Sequence, residues 1–83
     1  MAHIFPMQCR AARVLVGWSQ ADLAAAANVN KRTVMDFENG IRQPHPGTLA
    51  LLVTALDQAG AEVIQKGPYT GDGGPGVRLK GTE

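Results

Sequence analysis

The chain has little cysteine, few aromatic residues and no long apolar run. Cys9 is the single cysteine among 83 residues, so an internal disulfide is excluded. No apolar stretch reaches the roughly 18 residues that a membrane-spanning helix needs. The N-terminal residues 1–6 lack the charged and then apolar pattern of a signal peptide. These absences predict a reduced, cytoplasmic protein that does not associate with membranes.

Residues that would carry catalysis or bind a metal are also scarce. His3, Cys9 and His45 do not have the spacing of a zinc site, and no nucleophile stands beside a base in a hydrolase motif. The glycine-rich segment 71–76 lacks the Gly-Lys-Ser/Thr ending of a phosphate-binding loop, so it predicts a turn. We therefore expect no cofactor, no metal and no enzymatic activity.

Composition divides the chain near Gly60. Residues 7–59 are rich in Ala, Leu and Val, whereas residues 60–83 hold seven of the ten glycines. The first part predicts a helical domain, and the second predicts a β-hairpin or tail that is a candidate dimerisation element. The net charge of +1 neither requires nor excludes nucleic acid as a partner.

Start and stop patterns predict the helices. Helix one runs from Met7 or Gln8 to Val16, before Gly17. Helix two follows a capping box of Ser19 and Asp22, with Trp18 and Leu23 spaced as a hydrophobic staple. It ends at Asn28, a residue that tolerates a left-handed backbone.

Helix three begins after Asn30 and ends by Gly40, with a buried face of Val34, Phe37 and Ile41. Helix four begins at Pro46, continues to about Ala59 and buries Leu49, Leu52, Val53 and Leu56. Residues 62–65 predict one short strand, and alternating apolar and basic residues at 77–80 predict a second. The predicted fold class is all-α, with four or five helices and a short C-terminal β-hairpin or tail.

Helices two and three are joined by three residues, Asn28 to Asn30, which is the spacing of a helix-turn-helix. Residues 8–59 resemble the Cro/phage-repressor (XRE-like) family of DNA-binding domains. The matching segments are Gly17-Trp18-Ser19-Gln20-Ala21-Asp22-Leu23-Ala24, Asn28-Val29-Asn30-Lys31-Arg32-Thr33-Val34, Phe37-Glu38-Asn39-Gly40, Pro44 and Thr48-Leu49. Asn28 stands where the family usually has glycine. The resemblance implies a repressor-like fold that binds double-stranded operator DNA.

The expected DNA-contacting residues lie on and around helix three. If Val34 and Phe37 point inward, the opposite face presents Arg32, Met35, Asp36 and Asn39. The resemblance implies base contacts by Lys31, Arg32 and Asp36, to which Met35 is added by its position. It also implies phosphate contacts by Gln20 and Asn39. Asn30 flanks the helix within reach of phosphate, and Arg42, in the loop beyond, is within reach of a phosphate or of the minor groove.

Each of these residues also has a structural interpretation. Lys31, Arg32 and Asp36 could form a solvated helix face with an Arg32–Asp36 pair, and Gln20 and Asn39 could be ordinary surface amides or caps. The resemblance pairs Glu38 with Arg13, which we expect to be a partly buried structural pair joining helices one and three.

The function expected from these features is that of a homodimeric transcriptional regulator that represses or activates nearby promoters, its own being one candidate. Its further partner could be polymerase. The alternative is a protein-interaction module on the same fold, such as an antitoxin or antiactivator that binds a toxin or a regulator. Dimer contacts are expected from helix four and the C-terminal segment, namely from Leu51, Ala55, Val63, Ile64, Val77 and Leu79.

Overall fold

The computed structural model describes residues 4–64 and 76–80. Four helices precede a two-stranded antiparallel hairpin, which confirms the predicted fold class. In chain order the elements are α1 (Pro6–Leu15), α2 (Gln20–Ala27), α3 (Lys31–Glu38), α4 (Pro46–Gln58), β1 (Ala61–Ile64) and β2 (Gly76–Leu79). Both strands begin one residue earlier than predicted. Of the glycine-rich turn predicted at 71–76, residues 71–75 lie outside the described residues, as do His3 and Gln65.

The predicted caps of α2 and α3 are confirmed by local hydrogen bonds and backbone angles, whereas α1 begins and ends one residue earlier than predicted, at Pro6 and Leu15. Ser19 Oγ accepts from the Asp22 amide at 3.0 Å, and the Asp22 carboxylate accepts from the Ser19 amide at 2.9 Å. Asn28 has a φ of 58°, the left-handed conformation that its side chain tolerates. Asn30 Oδ1 accepts from the Arg32 amide at 2.8 Å and so caps α3.

The core lies where the four helices meet the hairpin. Its largest fully buried side chains include Phe37, Leu23, Leu52, Leu56 and Val34. Helix α2 packs on α3 and α4, and the hairpin packs on α1 and α4. The buried alanines of α2, Ala24 and Ala27, leave space for the neighbouring helices to approach closely.

Two predicted positions are wrong. Ile41 is 69% exposed rather than buried, because α3 ends at Glu38 and the chain turns away at Gly40, which has a φ of 73°. Ala55, expected as a dimer contact on α4, is 5% exposed and belongs to the core cluster. Since α4 packs against α1, α2 and β1, its covered face is wider than a single helical stripe.

Gln8 joins the hairpin to α1. Its side-chain nitrogen donates to the Ile64 carbonyl at 2.9 Å and to the Gly76 carbonyl at 3.0 Å. Ile64 and Gly76 are cross-strand partners, so one amide bridges both strands at the same end of the hairpin. Gln8 Oε1 in turn accepts from the Phe5 amide at 2.8 Å, at the start of α1. The buried Gln8 side chain therefore contributes to the helix start and to the hairpin.

Candidate nucleic-acid interface

The α2–turn–α3 unit has the local geometry of a helix-turn-helix. The Val29 amide donates to the Ala24 carbonyl at 2.9 Å and closes α2, while left-handed Asn28 ends the helix and turns the chain towards α3. Asn30 then starts α3 immediately. Because Val34 and Phe37 are buried, the rotation of α3 about its own axis is fixed and one face stays outside.

That outward face is narrower than the sequence predicted. Lys31 and Arg32 are exposed, the Arg32 side chain by 78%, whereas Met35 and Asp36 are half-buried. Arg32 Nε lies 3.5 Å from Asp36 Oδ1, one helical turn away. The described face therefore presents two cations and one carboxylate that is 16% exposed.

The residues expected at phosphates lie around both ends of α3. Gln20 is the first residue of α2 and is half-buried, and its Nε2 donates to Glu38 Oε1 at 3.1 Å. Asn30 caps the start of α3, and exposed Asn39 follows its last residue. Arg42 is exposed in the next loop, where its amide donates to the Asp36 carbonyl at 3.3 Å.

Glu38 and Arg13 form a bidentate pair beneath this region. Arg13 Nε donates to Glu38 Oε2 and Arg13 Nη2 donates to Glu38 Oε1, both at 2.9 Å. Arg13 Nη1 also donates to the Trp18 carbonyl at 3.0 Å. The Glu38 side chain is 0% exposed and that of Arg13 is 14% exposed. The pair thus connects α1 to α3 and to the segment before α2.

The electrostatics keep this carboxylate ionised. Burial raises the pKa of Glu38, but hydrogen bonds from Arg13, Gln20 and Cys9 outweigh burial and hold that pKa below the ordinary value of 4.5. The hydrogen bond to Glu38 raises the pKa of Arg13 in turn. Both charges therefore persist throughout the physiological pH range.

The helix-turn-helix family model matches residues 10–62, which include the α2–turn–α3 unit, both members of the Arg13–Glu38 pair and all of α4. The chain belongs to the XRE/Cro-like helix-turn-helix family. No curated protein matches it. The family is one of DNA-binding domains that regulate transcription, so this helix-turn-helix domain is a DNA-binding domain.

Glu38 also contacts two residues of α1 that the sequence did not identify as part of this region. The buried Cys9 thiol donates to Glu38 Oε2 at 3.3 Å, and Arg10 Nε lies 3.7 Å from Glu38 Oε1. Burial and the Glu38 carboxylate raise the pKa of Cys9, which keeps the thiol protonated. Cys9 and Arg13 are four residues apart and therefore lie on one face of α1. This spacing is the sequence feature that could have predicted a contact between Cys9 and the partner of Arg13.

Within the described ranges 4–64 and 76–80, no three potential ligand residues are grouped as a metal site. In the same ranges no helix is long and apolar enough to cross a membrane. Among those residues, every buried side-chain nitrogen and oxygen has a hydrogen-bond partner.

Proposed function

We propose that the protein is a sequence-specific transcriptional regulator that binds operator DNA as a homodimer in the cytoplasm. The observation that carries this proposal is the exposed pair Lys31 and Arg32 at the start of α3, a helix whose opposite face is fixed by Val34 and Phe37. A helix held in this way can enter the major groove with its first turn against the base edges. Occupied operators would block polymerase, or would recruit it from an adjacent site.

Base contacts are assigned to the outward face of α3. Arg32 and Lys31 can donate to guanine O6 and N7. Asp36 has two candidate roles, to accept from cytosine N4 or to orient the Arg32 guanidinium 3.5 Å away. Met35 is half-buried and offers apolar contact at the edge of the same face.

Phosphate contacts are assigned to Gln20, Asn30, Asn39 and Arg42. Gln20 Nε2 keeps one hydrogen beyond its bond to Glu38, and Asn39 and Arg42 are exposed. Contacts of this kind fix the position of the domain on the duplex without adding sequence information.

Dimerisation is proposed because a single domain covers only a short stretch of DNA, and two domains one helical turn apart cover a longer one. Leu51 on α4 is 48% exposed and Leu79 on β2 is 56% exposed, so both offer apolar surface to a second copy. Val63 and Val77 pack partly on the core and Ile64 is half-buried, so these three contribute less surface.

The test is selection of bound duplexes from a random DNA pool, followed by titration of the enriched sequence at several salt concentrations. We expect a two-fold symmetric motif with half-site centres about 10 base pairs apart and an affinity that falls steeply with salt. An enriched motif without symmetry would contradict the dimer but not the DNA binding.

A protein-interaction module is the second candidate, and a specific observation favours it. Helix α1 carries Met7 and Val14, which are 83% and 64% exposed, on the side away from the core. Absence of any enriched motif, together with absence of binding at low salt, would support this candidate over the operator-binding regulator.

A further inference from the structure

We infer that Arg10, on α1 and outside the helix-turn-helix unit, binds a phosphate of the DNA backbone beside Asn39. The inference rests on the proposed operator binding and adds to it a contact residue from a different helix. The phosphate contacts expected from the sequence all lie on α2, α3 or the segments that adjoin them.

The position of Arg10 is defined by two contacts. Its Nη2 donates to Asn39 Oδ1 at 3.4 Å, and its Nε lies 3.7 Å from Glu38 Oε1. Asn39 is itself an expected phosphate contact, and Gln20, another, shares Glu38 Oε1 with Arg10. The guanidinium of Arg10 therefore lies within the group of side chains through which the domain is proposed to hold the backbone.

Glu38 does not need Arg10 for its charge or its hydrogen bonds. Arg13 already neutralises the carboxylate with two bonds of 2.9 Å, and Gln20 and Cys9 donate to it as well. At 3.7 Å, the Arg10 contact with Glu38 is longer than a hydrogen bond. The Arg13–Glu38 pair is therefore neutral by itself, and Arg10 adds one net positive charge beside it.

Arg10 also has the exposure and the chemistry that a phosphate contact needs. Its side chain is 56% exposed, and a guanidinium carries five N–H donors in a fork that matches phosphate oxygens. One long bond to Asn39 leaves most of these donors available. A phosphate could therefore be bound without breaking the Arg13–Glu38 pair.

A purely structural role makes a different prediction. Arg10 lies near the C-terminal end of α3, where a cation stabilises the partial negative charge of the last carbonyls. If that were its whole role, loss of the charge would lower the melting temperature slightly and leave DNA affinity of the folded protein unchanged.

The experiment measures binding of the full chain to its selected duplex as a function of salt, for wild type and for Arg10→Gln. We expect binding about tenfold weaker and a slope of log affinity against log salt that is less steep by about 0.9. The loss should be equal on preferred and unrelated duplexes. Arg32→Ala serves as a comparator, because loss of a base contact should change preference at one base pair.

Arg78→Gln is the matched control. Arg78 is 66% exposed and pairs with Glu62 on the hairpin, which packs on α1 and α4. Because the hairpin is also proposed as a dimer surface, ultracentrifugation first establishes that Arg78→Gln has the oligomeric state of the wild type. The salt slope of Arg78→Gln should then equal that of the wild type. Arg10→Lys, which keeps the charge, should retain the salt slope, and melting curves establish that each variant is folded.

If folded Arg10→Gln binds DNA with the affinity and salt slope of the wild type, the inference is overturned. An equal loss of affinity and slope in Arg78→Gln would also overturn it, because it would indicate a general effect of net charge. Failure of the wild type to bind any duplex is a separate result, since it would overturn the proposed function itself and the contact with it.

Discussion

Glu38 is the residue on which the arrangement of three helices depends most directly. Its carboxylate accepts four hydrogen bonds, from Cys9 and Arg13 on α1 and from Gln20 on α2. A buried carboxylate is tolerated only when its charge is paired and its oxygens are hydrogen-bonded. Because Glu38 is the last residue of α3, these bonds also hold the end of the proposed DNA-contacting helix.

Glu38→Gln should lower the free energy of unfolding by about 3 kcal/mol at neutral pH, because it leaves the largely buried Arg13 charge without its partner. The pKa of Glu38 is lowered in the folded state, so its contribution is present above the ordinary value and is lost as pH falls through the folded-state pKa. The difference between wild type and variant should therefore shrink below about pH 4.5. Urea unfolding at pH 7 and at several acidic pH values measures it.

The control for this prediction is Glu62→Gln, which removes the exposed carboxylate that pairs with Arg78 at 2.9 Å. Exposed pairs contribute about 0–1 kcal/mol, so its effect should be small at every pH. The pKa of Asp22 is also lowered, by its hydrogen bonds with Ser19. Because Asp22 is present in the wild type and in both variants, its titration affects all three proteins alike. The pH dependence that belongs to Glu38 is therefore the difference between Glu38→Gln and Glu62→Gln. A difference that stays constant with pH would contradict the assignment.

The hairpin is the element whose stability depends most on a distant residue. A two-stranded sheet is marginal by itself in water, and here α1 packs on both strands while α4 packs on β1. Gln8 adds two hydrogen bonds to carbonyls of the two strands. Lys80 adds its amide bond to the Gly60 carbonyl at 2.7 Å and an ion pair with Asp57 at 2.9 Å at the other end.

Gln8→Ala should selectively destabilise the hairpin. The Ile64 and Gly76 carbonyls would lose the donor from Gln8, at a cost of about 1–3 kcal/mol for each group that stays dry. Hydrogen exchange should show faster opening of hairpin amides, with smaller changes in α2 and α3. Gln58→Ala, an exposed residue at the end of α4, is the control. A uniform loss of protection over all elements would contradict a local role.

At the scale of the whole molecule, the exposed apolar residues decide how two copies could associate. Among the described residues they lie in separate places: Leu51 on α4, Leu79 on β2, Ile41 after α3, and Phe5, Met7, Val14 and Leu15 at or on α1. The proposed dimer uses the surfaces of α4 and of the hairpin, whose strand β1 packs on α4.

Leu51→Glu should therefore convert the dimer to a monomer in analytical ultracentrifugation, because a charge would be desolvated at the interface. The half-exposed position should tolerate the change in the folded monomer. Val14→Glu, a change at an apolar residue 64% exposed on α1, should leave the dimer intact. If Val14→Glu dissociates the dimer and Leu51→Glu does not, α1 rather than α4 forms the interface.

The sequence alone was sufficient for features that depend on neighbouring residues. The Ser19–Asp22 box, left-handed Asn28 and the Asn30 cap involve backbone groups within a few positions, so residue type and spacing determine them. The register of the helix-turn-helix follows from these caps. That is why the family and the outward positions of Lys31 and Arg32 could be predicted.

Only the tertiary structure decided which distant groups meet. Gln8 bonds to carbonyls 56 and 68 residues away, and Cys9 and Arg10 contact a carboxylate on another helix. The burial of Ala55 and the exposure of Ile41 depend on how elements pack and where α3 stops. Local patterns contain no information on such contacts, because they are set by the packing of whole elements around one core.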